Sequence, residues 1–224
     1  LSNKFNHISF IMDGNNRWSK KNNKTLLNTY DSGAKKLLIL TDYIFKNYEC
    51  EYVSAFALSK DNLKRSKKVI DTVKKVLERY VDQFSSSNFK KKYNVKIIGD
   101  TSIFNKKIQN KIDKINEINL HYKKNLIIFF NYSGSDDIVM SLKKINRNNL
   151  KNNFNFGNFL LTKNIPDPDI LLRTGDHKRL SDFMLFQIRY TELFFLKKLW
   201  PDCSKNDLYK IIKEYKQIQR NYGI

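Results

Sequence analysis

The sequence is poor in cysteine, histidine and proline, and each shortage argues against a class of site or fold. It has two cysteines and three histidines in 224 residues, and their scattered positions do not match the spacing of a zinc site. Cys50 and Cys203 each stand alone, which favours a reducing compartment over a disulfide-stabilised fold. Three prolines and seven glycines are few for an array of linkers, so long regular elements are expected.

Long hydrophobic runs are also missing. No apolar stretch approaches the roughly 18 residues that a membrane-spanning helix needs, so we expect no such helix. Leu1 stands where an initiator methionine would, which allows for an upstream targeting segment.

Acidic residues are scarce relative to basic ones. The chain has 42 Lys and Arg against 22 Asp and Glu, a formal charge of +20. Such an excess favours anionic partners: nucleic acid, an anionic membrane or a phosphorylated small molecule. Because lysine and asparagine are abundant throughout, a compositional bias of the genome is an equally good explanation. The lysines are dispersed and no RNA-binding signature is present, so an RNA-binding hypothesis rests on charge alone and nucleic acid is not the expected partner.

The residues that are present indicate one core with alternating elements. Hydrophobic residues make up 41% of the chain, enough for a sizeable core. Periodicity predicts strands over 7–12, 51–58, 94–99, 126–132 and 169–175. It predicts helices over 32–48, with Ser32 as a cap, and over 66–84, 105–123, 136–146, 181–196 and 204–220. This alternation predicts an α/β fold, a single domain over residues 1–224 whose mostly parallel central sheet is flanked by helices on both faces.

Polar residues follow several of these strands, and the carboxyl ends of parallel strands gather ligands. Asp13 to Arg17 follow the first strand, and Arg173 to Gly175 follow the last. Arginine forks and backbone N–H groups suit phosphate. Asp13 suits an anion site if Mg²⁺ bridges it to diphosphate oxygens, with Glu192 as the candidate second ligand. The alternatives left open are that Asp13 caps the next helix, that Arg173 and Arg179 form a solvated face, and that Glu192 pairs with a neighbouring cation.

Three separated motifs resemble the cis-prenyltransferase family, which includes undecaprenyl and dehydrodolichyl diphosphate synthases. They are HISFIMDGNNRW, FALSKDNLKRS and RTGDHKRLSDFMLFQIRYTEL with LWPD, and IIGD and NYSG are in register between them. The resemblance spans residues 7–223. It implies the family's fold with an apolar tunnel, and an enzyme that lengthens an allylic diphosphate, farnesyl diphosphate being the expected primer, with isopentenyl diphosphate units in cis configuration. The product would be a polyprenyl diphosphate, a precursor of dolichol or polyprenol.

The same resemblance assigns residue roles. Asp13 matches the Mg²⁺-associated aspartate, Asn62 the asparagine implicated in proton removal, and Glu192 the second metal-associated acid. Leu37, Leu38, Val73, Leu77, Tyr80 and Phe84 are candidates to line the tunnel, with plain core as the alternative for each. The predicted substrate-binding residues are Gly14, Asn15, Asn16, Arg17, Trp18, Ser59, Lys60, Asp61, Arg65, Arg173, Arg179, Leu180 and Ser181.

The resemblance also implies partners and a location. We expect a homodimer or a heterodimer with a related subunit, peripheral contact with a membrane, and a place in the cytoplasm or on the endoplasmic reticulum membrane, with an organelle left open by the first residue. The family's usual Phe-Ser-x-Glu-Asn and Arg-Thr-Gly-Gly-Glu read LSKDN (58–62) and RTGDH (173–177) here, which places His177 one residue out of register with the family's histidine. Four further positions depart from the family pattern: Leu26 and Tyr30 replace an arginine and a histidine, Lys178 a histidine, and Asn221 a C-terminal arginine. These departures motivate an alternative hypothesis, in which the chain is an auxiliary subunit that depends on a partner.

Overall fold

The fold is built on a six-stranded sheet in which all neighbouring strands run parallel. The computed structural model describes residues 4–64, 66–85, 92–117, 123–145 and 154–219. The strands in these ranges are β1 (His7–Ile11), β2 (Tyr52–Ser59), β3 (Asn94–Ile98), β4 (Asn125–Tyr132), β5 (Ile170–Arg173) and β6 (Glu192–Phe195). Their order in the sheet is β3-β4-β2-β1-β5-β6, so the predicted parallel sheet is confirmed.

Helices connect these strands, and several begin at hydroxyl caps. The α-helices in the described ranges are α1 (Asn15–Lys21), α2 (Leu26–Asn47), α3 (Lys67–Phe84), α4 (Lys106–Glu117), α5 (Gly134–Lys144) and α6 (Lys205–Tyr215). The Ser133 side chain accepts a hydrogen bond from the Asp136 N–H at the start of α5, and Ser204 forms a reciprocal capping box with Asp207 at the start of α6. The predicted cap at Ser32 is wrong, because Thr25 caps α2 and Ser32 lies inside that helix.

The sheet is covered on both faces, as predicted, because successive side chains of a strand point to opposite sides. In β4, Leu126, Ile128 and Phe130 belong to one apolar cluster, which also contains buried residues of α2, α3, α4 and α6. Ile127 and Phe129 belong to a second cluster with Phe183 and Met184. Burying each of these large side chains contributes about 1.5–3 kcal/mol.

The predicted helix over 181–196 is wrong. Residues 181–190 form a series of turns, and Glu192–Phe195 is the edge strand β6, paired with β5. Ser181, Asp182 and Met184 have φ angles of 52°, 62° and 46°, a left-handed conformation that a right-handed helix excludes. A short apolar run has the same appearance in a buried strand and in a helix, so periodicity could not distinguish them.

The position of β1 in the sheet determines where the polar residues that follow the strands come together. This strand lies between β2 and β5, with Ile11 opposite Phe56 on one side and Arg173 on the other. The carboxyl ends of these three strands therefore open on the same edge of the sheet, at the point where the strand order reverses. Within the described ranges, no helix has both the length and the hydrophobicity needed to cross a bilayer.

Candidate active site

A cavity of about 430 Å³ opens at the carboxyl ends of β1, β2 and β5. It collects most of the residues that the sequence analysis selected for a phosphate site. The predicted residues that line it are Asp13, Gly14, Asn15, Asn16, Arg17, Ser59, Asp61, Asn62, Arg173, Arg179 and Ser181.

Asp13 lies two residues beyond β1 and is held by both its main chain and its carboxylate. Its carbonyl oxygen accepts hydrogen bonds from Thr174 Oγ1 at 2.8 Å and from the Trp200 N–H at 3.0 Å. Its carboxylate accepts from Arg173 Nη2 at 2.9 Å and lies 3.4 Å from Arg17 Nη2. Asp13 does not cap α1: the N-cap is Gly14, and it makes no side-chain capping hydrogen bond.

The charge state of Asp13 follows from these neighbours. Burial raises the pKa of the carboxyl, but the hydrogen bond and charge of Arg173, with the charges of Arg17 and His177, outweigh burial and hold that pKa below its ordinary value. The carboxylate is therefore ionised at neutral pH, and 24% of the side chain remains exposed.

Arg173 connects Asp13 to the opposite wall of the cavity. Only 4% of its side chain is exposed, so this arginine is not part of a solvated face. One Nη donates to Asp13, and the other donates to Ser181 Oγ at 2.8 Å and to the carbonyl oxygen of Arg179. Its buried Nε has no protein partner in the described part of the chain. Arg179 is itself exposed and lines the cavity.

Two glycines allow the backbone to approach these groups closely. Gly14 has φ 106°, and a Cβ there would lie 2.7 Å from Leu199 Cδ2. Gly175 has φ 88°, and a Cβ there would lie 2.5 Å from Arg17 Nη2 and 3.2 Å from the Asp13 carbonyl carbon. Both positions need glycine, since its left-handed conformation and missing side chain are used together. The Gly175 carbonyl in turn accepts a hydrogen bond from Arg17 Nη2 at 2.6 Å.

The β2 wall of the cavity presents an ordered amide. Ser59 Oγ accepts hydrogen bonds from the Asn62 N–H at 3.1 Å and from Asn62 Nδ2 at 2.5 Å. Because Nδ2 is committed to Ser59, the orientation of the Asn62 side chain is fixed.

Two of the polar lining residues were not among the predicted site residues. Tyr30 donates from its hydroxyl to Asn16 Oδ1 at 2.9 Å and lines the cavity, as does His177. Tyr30 was named in the sequence only as a replacement of the family's histidine and was not selected as a binding residue, and the predicted helix began at Ser32, whereas α2 begins at Leu26. His177 was missed because it is one residue out of register with the family's histidine.

Several predicted residues are not brought to the cavity wall. Trp18 Nε1 donates to Asp202 Oδ1 at 2.7 Å, Lys60 is exposed and pairs with Asp136, and Leu180 packs on the second apolar cluster. Arg65 and Asn221 lie outside the described residues.

Glu192 is likewise distant from Asp13 along the sheet. It is the first residue of β6 and lies opposite Ile170 in the register, whereas the cavity opens beside Arg173 at the other end of β5. This chain therefore does not bring the two acids together, and a metal-binding role for Glu192 stays a prediction.

A second, smaller cavity of about 80 Å³ lies between α2 and α3 and is almost wholly apolar. All six candidate tunnel residues line it: Leu37, Leu38, Val73, Leu77, Tyr80 and Phe84. Met12, Asn15, Tyr30, Ala57 and Val73 line both cavities. The charged cavity therefore adjoins an apolar one, although a continuous tunnel stays a prediction.

Comparison with known proteins identifies the family. A family model described as "Putative undecaprenyl diphosphate synthase" matches residues 11–223. The chain belongs to the cis-prenyltransferase family. It is 34% identical to an isoprenyl transferase of Helicobacter hepaticus, over 97% of this chain and 96% of that protein. It is 33% identical to a tritrans,polycis-undecaprenyl-diphosphate synthase (geranylgeranyl-diphosphate specific) of Pyrobaculum aerophilum, over 97% and 95% of the two chains.

Solved structures agree with this membership. The lavandulyl diphosphate synthase of Lavandula x intermedia, in complex with dimethylallyl diphosphate, superposes with a TM-score of 0.83 at 26% identity, covering 99% of each chain. A probable undecaprenyl diphosphate synthase of Campylobacter jejuni superposes with a TM-score of 0.76 at 29% identity, covering 99% of this chain and 100% of the other. The predictions of family, of fold class and of a prenyl-transferring enzyme are confirmed.

The residues of this cis-prenyltransferase cavity fit a hard divalent cation that is shared with a ligand. No group of three or more His, Cys, Asp or Glu side chains that could hold a metal occurs within the described ranges. Mg²⁺ does not need such a group, because it often takes one or two carboxylates with phosphate oxygens and water. Asp13 is ionised, faces the cavity and keeps part of its carboxylate exposed, so it can supply that single ligand.

Proposed function

We propose that this cis-prenyltransferase extends an allylic diphosphate with isopentenyl diphosphate units in cis configuration and releases a polyprenyl diphosphate. The observation that carries the proposal is the contact between the two cavities. The larger has arginines and one ionised acid, and the smaller is apolar. A diphosphate with a growing hydrocarbon tail needs both environments side by side.

Arginines of the larger cavity are proposed to bind the diphosphate groups. Arg17 and Arg179 offer exposed guanidinium forks, which match phosphate oxygens in pairs. Their positive charge, with that of Arg173, offsets the negative charge of Asp13, so the acid does not repel an anionic substrate.

Asp13 is proposed to hold Mg²⁺ together with substrate oxygens. When bound, the ion would stabilise negative charge on the departing diphosphate. Arg17, whose Nη2 is held by the Gly175 carbonyl, would stabilise the same charge.

The bond changes follow from the chemistry of the two substrates. The allylic C–O bond breaks and its electron pair leaves with the diphosphate, while the double bond of isopentenyl diphosphate forms the new C–C bond. A proton is then lost from the adjacent carbon, which restores a double bond. Asn62 is the proposed assistant in this loss. Because an amide is too weak a base to keep a proton, it would orient the group that accepts it, and its own orientation depends on Ser59.

The names of similar proteins support the substrate class. A structural neighbour was crystallised with dimethylallyl diphosphate, which supports an allylic primer, with farnesyl diphosphate as our first choice. Two similar proteins are named undecaprenyl diphosphate synthases, which supports a long polyprenyl product over a short one. We further propose that the enzyme acts as a dimer in the cytoplasm, or at a membrane where the lipid product is released.

One observation favours a second candidate, a partner-dependent subunit. Tyr30 occupies a position where the family has a histidine, and its hydroxyl bonds Asn16 inside the cavity. An uncharged group there is expected to bind the allylic diphosphate less tightly. Another subunit would then have to supply the missing positive charge.

Incorporation of radiolabelled isopentenyl diphosphate by the purified chain tests both candidates. Dimethylallyl, geranyl and farnesyl diphosphates serve as primers, with Mg²⁺ or with EDTA. The main proposal expects a butanol-extractable labelled lipid that depends on primer and metal. No lipid from the chain alone, but lipid after adding a cell fraction from its source, supports the second candidate, and no lipid under either condition rejects both.

A further inference from the structure

We propose that Asp182 is a positioning residue that holds the isopentenyl diphosphate wall of the cavity in its binding conformation. This inference rests on the proposed function, because Arg179 and Ser181 form that wall only if the cavity binds diphosphates. Asp182 itself is not among the described residues that line the cavity. It would therefore act through its neighbours and not by touching substrate.

Asp182 is bound to the first turn of α5 by both carboxylate oxygens. Oδ2 accepts from Ser133 Oγ at 2.5 Å. Oδ1 accepts from the Ser135 N–H at 2.9 Å and from Ser135 Oγ at 2.6 Å. The main chain repeats the attachment, since the Gly134 N–H donates to the Asp182 carbonyl at 2.7 Å. A carboxylate is also favoured at this position by the positive end of the α5 dipole.

The backbone of this segment needs such an attachment. Ser181 and Asp182 have φ angles of 52° and 62°, and consecutive residues other than glycine in this region are disfavoured by about 1–2 kcal/mol each. Strained backbone persists only where surrounding contacts determine it. The four hydrogen bonds from residues 133–135 are the contacts that do so on the α5 side.

Ser181 connects the attached Asp182 to the charged residues of the cavity. Ser181 Oγ accepts from Arg173, whose other Nη holds Asp13. The same arginine donates to the Arg179 carbonyl. The order of contacts is thus α5, Asp182, Ser181, Arg173 and Asp13, so loosening Asp182 would shift the wall from which Arg179 projects.

The first turn of α5 is also fixed to the β2 side of the cavity. Asp136, which donates its N–H to Ser133 Oγ, pairs with Lys60 at the end of β2. Gly134 permits the first turn of α5 to pack closely against Asp182, because a Cβ at this position would lie 3.0 Å from the Asp182 carbonyl oxygen. The first turn of α5 therefore contacts residues next to both walls of the cavity.

The test uses Asp182→Gly, which keeps the left-handed backbone accessible and removes the side chain with its carboxylate, and Asp182→Asn, which keeps the side-chain shape and one acceptor oxygen. Asp167→Gly is the matched control, because Asp167 is exposed and pairs only weakly with Arg189 at 3.7 Å. Inorganic diphosphate binding is measured by calorimetry, and KM is measured for each substrate. We expect Asp182→Gly to weaken diphosphate binding about tenfold or more, the effect of losing charged hydrogen bonds. The KM for isopentenyl diphosphate should rise similarly, while the KM for the primer stays within about twofold.

The outcomes separate this inference from the proposed function. If the wild type binds diphosphate without turnover, and Asp182→Gly binds it more weakly, the function fails and the positioning role stands. If folded Asp182→Gly matches the control in diphosphate binding and in both KM values, the positioning role is rejected. It is also rejected if the wild type does not bind diphosphate, or if both KM values rise equally.

Discussion

Arg173 Nη2 and Asp13 Oδ2 lie 2.9 Å apart, joining the carboxyl ends of two adjacent strands through a guanidinium that is almost fully buried. This pair explains how an acid can lie at the entrance of an anion-binding cavity. Its negative charge is already balanced on the protein side before any metal or substrate arrives. Because Arg173 is buried and paired with Asp13, the stability of the fold also depends on Asp13.

Replacing Asp13 by asparagine should therefore destabilise the protein, because a buried arginine would lose its charged partner. We expect a loss of about 1–3 kcal/mol in the free energy of unfolding, less than for a fully buried pair because Asp13 is partly exposed. Urea denaturation measures it, with Asp82→Asn as the control, since Asp82 pairs with Lys111 on the surface. Equal destabilisation by the two variants would contradict the structural role of the pair.

Gly175→Ala should damage the site through the position of Arg17. The added Cβ would lie 2.5 Å from Arg17 Nη2, and the backbone has φ 88°, so both strain and displacement are expected. We predict a loss of about 1–3 kcal/mol in stability and at least a tenfold fall in turnover. Gly157→Ala is the control, because its φ is not left-handed. Full activity of Gly175→Ala in the labelled-lipid assay would show that Arg17 is not needed where the structure holds it.

The stability of the fold should fall between pH 6.5 and pH 4 because of His7. Complete burial lowers the pKa of this imidazole to about 4, against opposing contributions from the Pro166 carbonyl and Asp169. The unfolded state therefore binds the proton first as the pH falls, so stability is complete above about pH 6.5 and decreases below it, by about 3 kcal/mol at the low end. Denaturation from pH 7 to pH 4 should show this slope in the wild type and in His177→Gln. A His7→Gln variant that keeps the full slope would contradict the assignment.

Ala34→Leu should shorten the product. Ala34 lines the apolar cavity of about 80 Å³, and the larger side chain would occupy space that the growing hydrocarbon needs. Chromatography of the labelled lipids should show fewer added isoprene units, with Ala34→Ser unchanged. An identical product distribution for Ala34→Leu would place the growing chain elsewhere.

Much of the fold could be predicted from local patterns, and the failures have specific causes. The strands before Asp13 and after Pro168 were placed correctly because short apolar runs between turn residues are strong signals. The segment 181–196 failed because its turns depend on tertiary contacts, above all Asp182 with Ser133 and Ser135. No periodicity encodes such contacts.

The residues of the candidate site, like the fold, could be predicted only in part. The resemblance and the rule for carboxyl strand ends selected Asp13, Arg17, Arg173 and Ser181, which line one cavity. Glu192 was selected from its place in a motif, yet its distance from Asp13 is set by the register of β6 on β5. That register emerges only from the assembled sheet.

The central claim is that Asp13 serves catalysis at this cavity, and turnover of folded Asp13→Asn tests it most directly. Label from isopentenyl diphosphate is counted in lipid with a saturating allylic primer and Mg²⁺, at a temperature where the variant is folded, beside the wild type and Asp82→Asn. We predict a fall of about 10²–10³-fold for Asp13→Asn, because the proposed ligand of the ion that would stabilise the departing diphosphate is lost, and no change for Asp82→Asn. Wild-type turnover in folded Asp13→Asn would contradict the account.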